Sequence, residues 1–173
     1  MNEKMEQSLN FLCSRTDNKI RCLSQILTIT ENLETLYQNL GDDGEWGGMP
    51  DGKSIMDEMN KEKQKLIQQV HQEDLQFNAT FNNLGGDFEK EAAAHGPLVK
   101  LLQKKIAAVM DLDEKIKTQE NQNRHLLDQY LEKEKPAGLP RETTYPVNAE
   151  YRHPQKSLKK HVLAQYRNNT KKK

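Results

Sequence analysis

Residues 47–54 of this 173-residue chain match the phosphate-binding pattern GxxxxGK[ST] in full, with Lys53 and Ser54 at its end. In such a loop the backbone N–H groups cradle phosphate, the Lys neutralises charge and the Ser binds Mg²⁺. That chemistry needs a buried strand in front of the loop, but a polar stretch with Asp42 and Asp43 stands there instead. We therefore interpret the match as a glycine-rich connector, and we predict no cofactor.

Histidines and acids give weaker candidates for a metal site. His71 and Asp74 are one helical turn apart and could share a face. His125 follows Glu120 by five residues, which is not the Glu-x-x-His spacing of carboxylate di-metal proteins. No serine or cysteine stands in a recognisable nucleophile context. The sequence therefore predicts neither a metal site nor an enzyme.

The elements that would hold these residues are long helices with a coiled-coil repeat. Residues alternate four and three positions apart, which is the spacing of a stripe along which one helix packs on another. We call this a heptad stripe. In the first helix it contains Met5, Leu9, Leu12, Thr16, Lys19, Leu23, Ile26, Thr30, Leu33, Tyr37 and Leu40. In the last helix it contains Leu98, Leu102, Lys105, Val109, Leu112, Ile116, Gln119, Asn123, Leu126 and Tyr130.

The middle helix has a different apolar period. Ile55, Leu66 and Phe77 recur every 11 residues, and Met59 and Val70 follow the same step. Such a period predicts a nearly straight helix with little supercoil.

Together these patterns predict an all-α fold, an antiparallel bundle of three to four long helices with coiled-coil packing over residues 1–135. The predicted helices are residues 2–40, 54–84, 97–135 and a short one at 87–95. A glycine-rich loop at 41–54 separates the first two.

Composition agrees with a helical protein in which only a stripe of each helix is buried. The chain is 34% hydrophobic and 30% charged, and its mean hydropathy is −0.97. No apolar run is long enough for a membrane span, so no membrane insertion is expected. The N-terminus has no apolar signal segment, so we expect a cytoplasmic protein.

Charge is divided unevenly along the chain. Residues 136–173 carry nine Lys or Arg and two Glu, a net charge of +7, and the remainder carries −7. Four prolines in this tail predict partial disorder. A short helix at 156–167 would place Leu158, Val162 and Tyr166 on one face, where they could contact a partner or pack on the acidic body of the same chain. Because the acidic body would repel a polyanion, we predict no nucleic-acid partner.

Two stretches resemble the FlgN-like family of bacterial flagellar export chaperones. They are SIMDEMNKEKQKLIQQV at residues 54–70 and GPLVKLLQKKIAAVMDLDEKIKTQENQNRHLL at residues 96–127. The second has a Leu and Ile/Val stripe leading into a Glu-x-x-Asn turn, here Glu120 and Asn123. The resemblance covers roughly residues 1–131, and the glycine loop and basic tail depart from it.

The resemblance implies a chaperone of type III secretion that has no chemistry of its own. Such a protein binds C-terminal helical segments of hook–filament junction proteins, prevents their premature assembly and delivers them to the flagellar export gate. It implies that the last helix carries the contact with the partner protein. The apolar pattern of that helix adds Leu112, which gives six contact residues. The predicted partner-binding residues are Leu112, Ile116, Asn123, Leu126, Leu127 and Tyr130.

A second interpretation stays open. The chain could be a coiled-coil adaptor or structural protein that dimerises through helix 1, because a heptad stripe can pair within one chain or between chains. The oligomeric state is therefore not predicted.

Overall fold

The computed structural model describes residues 3–39, 52–85, 93–133 and 144–145. Within these residues the structure is helical and contains no strand, which confirms the predicted all-α class for this part of the chain. The helices are α1 (Glu3–Gln38), α2 (Gly52–Leu84) and α3 (Gly96–Lys133). Each helix begins and ends within about two residues of its predicted bounds. Of the predicted glycine loop at 41–54, residues 52–54 belong to α2 and residues 41–51 lie outside the description.

Local sequence explains where the helices begin and end. Glu3 and Glu6 lie in the first turn of α1, where negative charge complements the helix dipole. Gly85 follows the last residue of α2 with a φ of +54°, the left-handed conformation that closes helices and that glycine adopts without strain. Pro97 is the second residue of α3, a position where its missing N–H costs nothing.

The heptad stripe of α1 is buried along the described length of the helix, as predicted. Its members from Met5 to Tyr37 are all at most 4% exposed. The two threonines fit because each hydroxyl bonds within its own helix: Thr16 donates to the carbonyl of Leu12 and Thr30 donates to that of Ile26, both at 2.7 Å. Their polar groups are thus satisfied without a partner from another helix.

The buried stripe of α2 differs from the predicted 11-residue pattern. Ile55 is 39% exposed, and the neighbouring Met56 takes the buried place. From Met56 the buried residues recur every seven positions, at Lys63, Val70, Phe77 and Leu84. Leu66, Val70 and Phe77 of the predicted 11-residue set are buried too, so the stripe contains part of that pattern together with a seven-residue repeat.

Contacts divide the described residues into two compact units. Unit 1 contains α1 up to Arg21 and the stretch from Val70 to Asp111, and unit 2 contains Cys22–Gln69 and Leu112–Tyr145. Each unit therefore receives a segment from all three helices, and the helices pack against each other within it. The apolar core of unit 1 consists of Met5, Leu9, Leu12, Cys13, Phe77, Leu84, Val99, Leu102 and Ile106.

Several sequence predictions fall on residues outside the description. Residues 93–95 form a turn before α3, while the rest of the predicted short helix at 87–95 is not described. Of the basic tail at 136–173, the structure describes Thr144 and Tyr145. In the described helices, no stretch combines the length and apolar character needed to cross a membrane.

Candidate functional site

The predicted partner-binding residues on α3 lie in unit 2 and differ in exposure. Ile116 and Asn123 are fully buried, whereas Leu112, Leu126 and Leu127 are half-buried. A partner can therefore reach the three leucines while unit 2 stays closed. It cannot reach Ile116 or Asn123 unless something that covers them moves.

The other predicted contacts cannot be located. Tyr130 belongs to the last turns of α3, but its side chain lies outside the described part, as do Leu158, Val162 and Tyr166 of the tail. The structure therefore brings together the α3 residues of the prediction and leaves the tail contact as a sequence-based expectation.

Asn123 connects α3 to α1 inside unit 2. Its Nδ2 donates to the backbone carbonyl of Thr30 at 2.9 Å, and its Oδ1 accepts from Nε2 of Gln119 at 3.1 Å. Gln119 also donates to the carboxylate of Glu34 on α1. Because a buried amide in a heptad stripe fixes the register of two helices, we infer that Asn123 holds α1 and α3 in alignment.

Lys63 of α2 and Glu120 of α3 form an ion pair in the interior of unit 2. Lys63 Nζ lies 2.9 Å from Glu120 Oε1, and the side chains are 0% and 6% exposed. A buried ion pair adds little net stability, because removing two charges from water costs about as much as their attraction returns. Its main effect is to favour one packing of the helices, since any packing that separates Lys63 from Glu120 leaves a buried charge without its counter-charge.

Tyr145 returns to unit 2 from beyond the end of α3 and contacts the same carboxylate. Its backbone N–H donates to Glu120 Oε1 at 2.7 Å, and the residue is 9% exposed. One carboxylate oxygen thus pairs with the Lys63 ammonium of α2 and accepts a hydrogen bond from the backbone of Tyr145. The basic tail, predicted to be partly disordered, is therefore attached to its own helices at this point.

Unit 1 has a corresponding polar layer. Lys19 Nζ lies 2.8 Å from Asp74 Oδ1, and both side chains are 5% exposed. Beside this pair, Arg15 Nη1 lies 3.3 Å from Glu73 Oε2, and the Arg15 guanidinium also stands 5.2 Å from the Phe11 ring centre. A small open recess adjoins these residues. Because two acids face two bases, the recess has no surplus charge with which to hold an ion.

In the described ranges, no group of three or more His, Cys, Asp or Glu residues could hold a metal ion. Asp74 of the predicted His71–Asp74 pair accepts a hydrogen bond from the Lys19 ammonium. His125 is exposed on α3. The two cysteines are free thiols, as their spacing along one helix requires.

Sequence reasoning missed the buried charges Lys63, Asp74 and Glu120, and one signal could have found Lys63. Counting back in steps of seven from Leu84 through Phe77 and Val70 reaches Lys63. A search for apolar residues alone passes over that position. Asp74 and Glu120 gave no comparable signal, because their burial depends on lysines that lie 55 and 57 residues away along the chain.

The chain was also compared with known proteins. No protein-family model, curated protein or solved structure matches it. The functional conclusion therefore depends on the geometry described above and on the sequence resemblance.

Proposed function

We propose that this protein is a non-enzymatic helical chaperone that binds an amphipathic helix of a partner protein on the α3 segment of unit 2. The main observation in support is the set of half-buried leucines Leu112, Leu126 and Leu127 on that segment. Apolar side chains that are only partly covered can gain further burial when a partner helix packs on them. The gain would be about 25 cal/mol for each Å² of apolar surface covered.

The partner class follows from the FlgN-like resemblance of residues 54–70 and 96–127. We propose that the partners are the C-terminal helical segments of hook–filament junction proteins, which the chaperone delivers to the flagellar export gate from the cytoplasm. The role requires no cofactor and no nucleic acid. It requires a surface that binds a helix with moderate affinity and then releases it.

We further propose that the helix segments within each unit form an antiparallel bundle with coiled-coil packing. In unit 1, Lys19 on α1 pairs with Asp74 on α2, and Arg15 Nη1 donates to Gln76 Oε1 at 3.1 Å. The numbering on α2 therefore falls as that on α1 rises, as in two neighbouring antiparallel helices of a bundle.

The buried charges support a bundle that can exchange partners. Each unit places an ion pair where apolar residues would stabilise the packing more. A bundle of this kind trades stability for selectivity, and its local opening costs less than that of a fully apolar core. Such opening is what a chaperone needs if its partner is to reach Ile116 or Asn123.

The alternative function, dimerisation through helix 1, has less support. Leu23 and Ile26, at the middle of the α1 stripe, are 0% exposed within a single chain. A second copy could pair with this stripe only after α2 and α3 had left it. We therefore prefer the chaperone, with its contact on α3.

Calorimetry with the full chain tests the proposal. Synthetic peptides from the C-termini of hook–filament junction proteins should bind with micromolar or tighter affinity. Leu126→Asp should weaken binding at least tenfold, because the charge would face the apolar side of the peptide helix. Leu75→Asp is the matched control, since Leu75 is 51% exposed on α2 in unit 1.

Circular dichroism of both variants would confirm that they keep their helices. The proposal would be rejected by the absence of peptide binding to the wild-type chain. Equal losses in the two variants would show that binding does not use α3.

A further inference from the structure

Thr144 and Tyr145 are the described residues beyond α3, and Tyr145 lies against unit 2. We name these two residues the strap. Tyr145 is 9% exposed although it belongs to none of the three helices. The hydrogen bond from its backbone N–H to Glu120 places the residue against α3 in unit 2.

The strap lies on the face of α3 to which the predicted partner contact belongs. Ile116 precedes Glu120 by four residues and Asn123 follows it by three, so the three side chains share one face of the helix. All three are at most 5% exposed. A partner that uses Ile116 or Asn123 must therefore approach the region where Tyr145 is seated.

The Glu120 carboxylate keeps its counter-charge when the strap leaves. Its Oε1 accepts from the Tyr145 N–H and forms an ion pair with Lys63 Nζ at 2.9 Å, and the ion pair does not involve Tyr145. Water can replace the lost N–H at the position that Tyr145 vacates. Release also requires no break in a helix, whereas moving α1 would separate Asn123 from Thr30.

We propose that unit 2 contains a peptide-recognition site at Glu120, and that the strap occupies it in competition with the partner helix. The site holds the strap through its backbone N–H, which donates to Glu120, and its buried tyrosine side chain, and the partner helix competes by packing on the same face of α3. The competition rests on the proposed chaperone function, and the strap lowers the affinity for the partner until it is displaced. This would keep the apolar face of α3 covered in the absence of a partner.

The change in apparent affinity for the partner depends on the fraction of time that the strap occupies the Glu120 site. If the site is free one-tenth of the time, the apparent dissociation constant is about tenfold larger than that of an uncovered site. Tyr145→Ala removes the buried ring and should therefore tighten partner binding by roughly that factor. Tyr151→Ala removes a tyrosine elsewhere in the tail and should bind like the wild-type chain.

Hydrogen exchange of the full chain, in the absence of any partner, tests whether Tyr145 covers the Glu120 site. In Tyr145→Ala, amides of α3 around Glu120 should exchange faster than in the wild-type chain, while amides of residues 99–109 in unit 1 should not change. Tyr151→Ala should leave both regions unchanged. Equal exchange around Glu120 in the wild type and in Tyr145→Ala would overturn the proposal.

Calorimetry with the junction-protein peptides then tests the competition. Tighter binding by Tyr145→Ala than by Tyr151→Ala supports it, and equal or weaker binding overturns it. If no variant binds a peptide, the chaperone function fails and competition with that partner fails with it. The exchange result then decides separately whether Tyr145 covers the Glu120 site.

Discussion

Lys19 and Asp74 are 55 residues apart in the chain, yet Lys19 Nζ and Asp74 Oδ1 lie 2.8 Å apart in the interior of unit 1. Lys19 occupies a position of the α1 heptad stripe that an apolar residue would normally fill. The lysine is accommodated because α2 supplies a carboxylate at the same level. The pair thus shows how a polar residue in the stripe can specify which helix packs beside it.

The buried Lys19–Asp74 pair should contribute selectivity rather than stability. Lys19→Met leaves Asp74 buried without its ammonium partner and should cost about 3–5 kcal/mol of unfolding free energy. The double variant Lys19→Met/Asp74→Leu should regain most of this loss or exceed the wild-type stability by about 1–4 kcal/mol. Urea unfolding followed by circular dichroism measures both.

A matched lysine serves as the control for this prediction. Lys105 pairs with Asp17, whose side chain is 51% exposed. Lys105→Met should therefore cost at most about 1 kcal/mol. The idea of a buried, selective pair would be contradicted if the two Lys→Met variants were equally destabilised.

Leu23→Asp should unfold the isolated chain. Leu23 is fully buried in unit 2, so the substitution removes an apolar side chain and buries a charge in its place. We expect loss of helical signal at every protein concentration, as measured by circular dichroism with analytical ultracentrifugation. Helicity of the wild-type chain that rises with protein concentration, and that is lost in Leu23→Asp, would instead favour the helix-1 dimer.

Asn123→Ala should destabilise unit 2 by about 1–3 kcal/mol, because it removes the hydrogen bond to the Thr30 carbonyl and leaves a small cavity. Asn121→Ala is the control, since Asn121 is exposed on the same helix. It should be neutral or slightly stabilising, as alanine favours helices. Thermal unfolding compares the two variants, and a similar melting temperature for both would contradict a structural role for Asn123.

The two cysteines should differ in reactivity. Cys13 is buried in the core of unit 1, and burial raises the pKa of its thiol above the ordinary value of 9.0. Among the nearby charges, Lys105 lowers this pKa and Asp17 raises it, with smaller effects than burial. Cys22 is partly exposed. In the native chain a thiol reagent at pH 8 should therefore label Cys22 first, as peptide mass spectrometry would detect, and faster labelling of Cys13 would contradict its burial.

The raised pKa of Cys13 also makes the free energy of unfolding depend on pH. The folded state holds the thiol proton more tightly than the unfolded state. The stabilisation that results is therefore fully present below pH 9.0 and is lost as the pH rises through the folded-state pKa. The stability difference between the wild-type chain and Cys13→Ala should narrow from pH 8 to about pH 10.5. Urea unfolding at both pH values measures it, and a constant difference would contradict the raised pKa.

Much of the fold was predictable because helix packing repeats along the chain. The α1 stripe from Met5 to Tyr37 was identified by spacing alone, and the end of α2 was predicted at residue 84. The α2 stripe was predicted only in part, because Ile55 and Met56 are both apolar and only their packing shows that Met56 is the buried one. The half-buried leucines of α3 were identified, but their exposure was not.

Seven-residue spacing and the order of apolar and helix-breaking residues are local properties, and they establish three long helices and most of the buried positions on α1. The interior position of Lys63, Asp74 and Glu120 is not local. A charged side chain is buried only where another helix supplies its counter-charge within hydrogen-bonding distance, and that depends on helix order and register. The hydrogen bond from Tyr145 to Glu120 also depends on the tertiary structure, because it joins residues 25 apart in the chain that no sequence repeat relates.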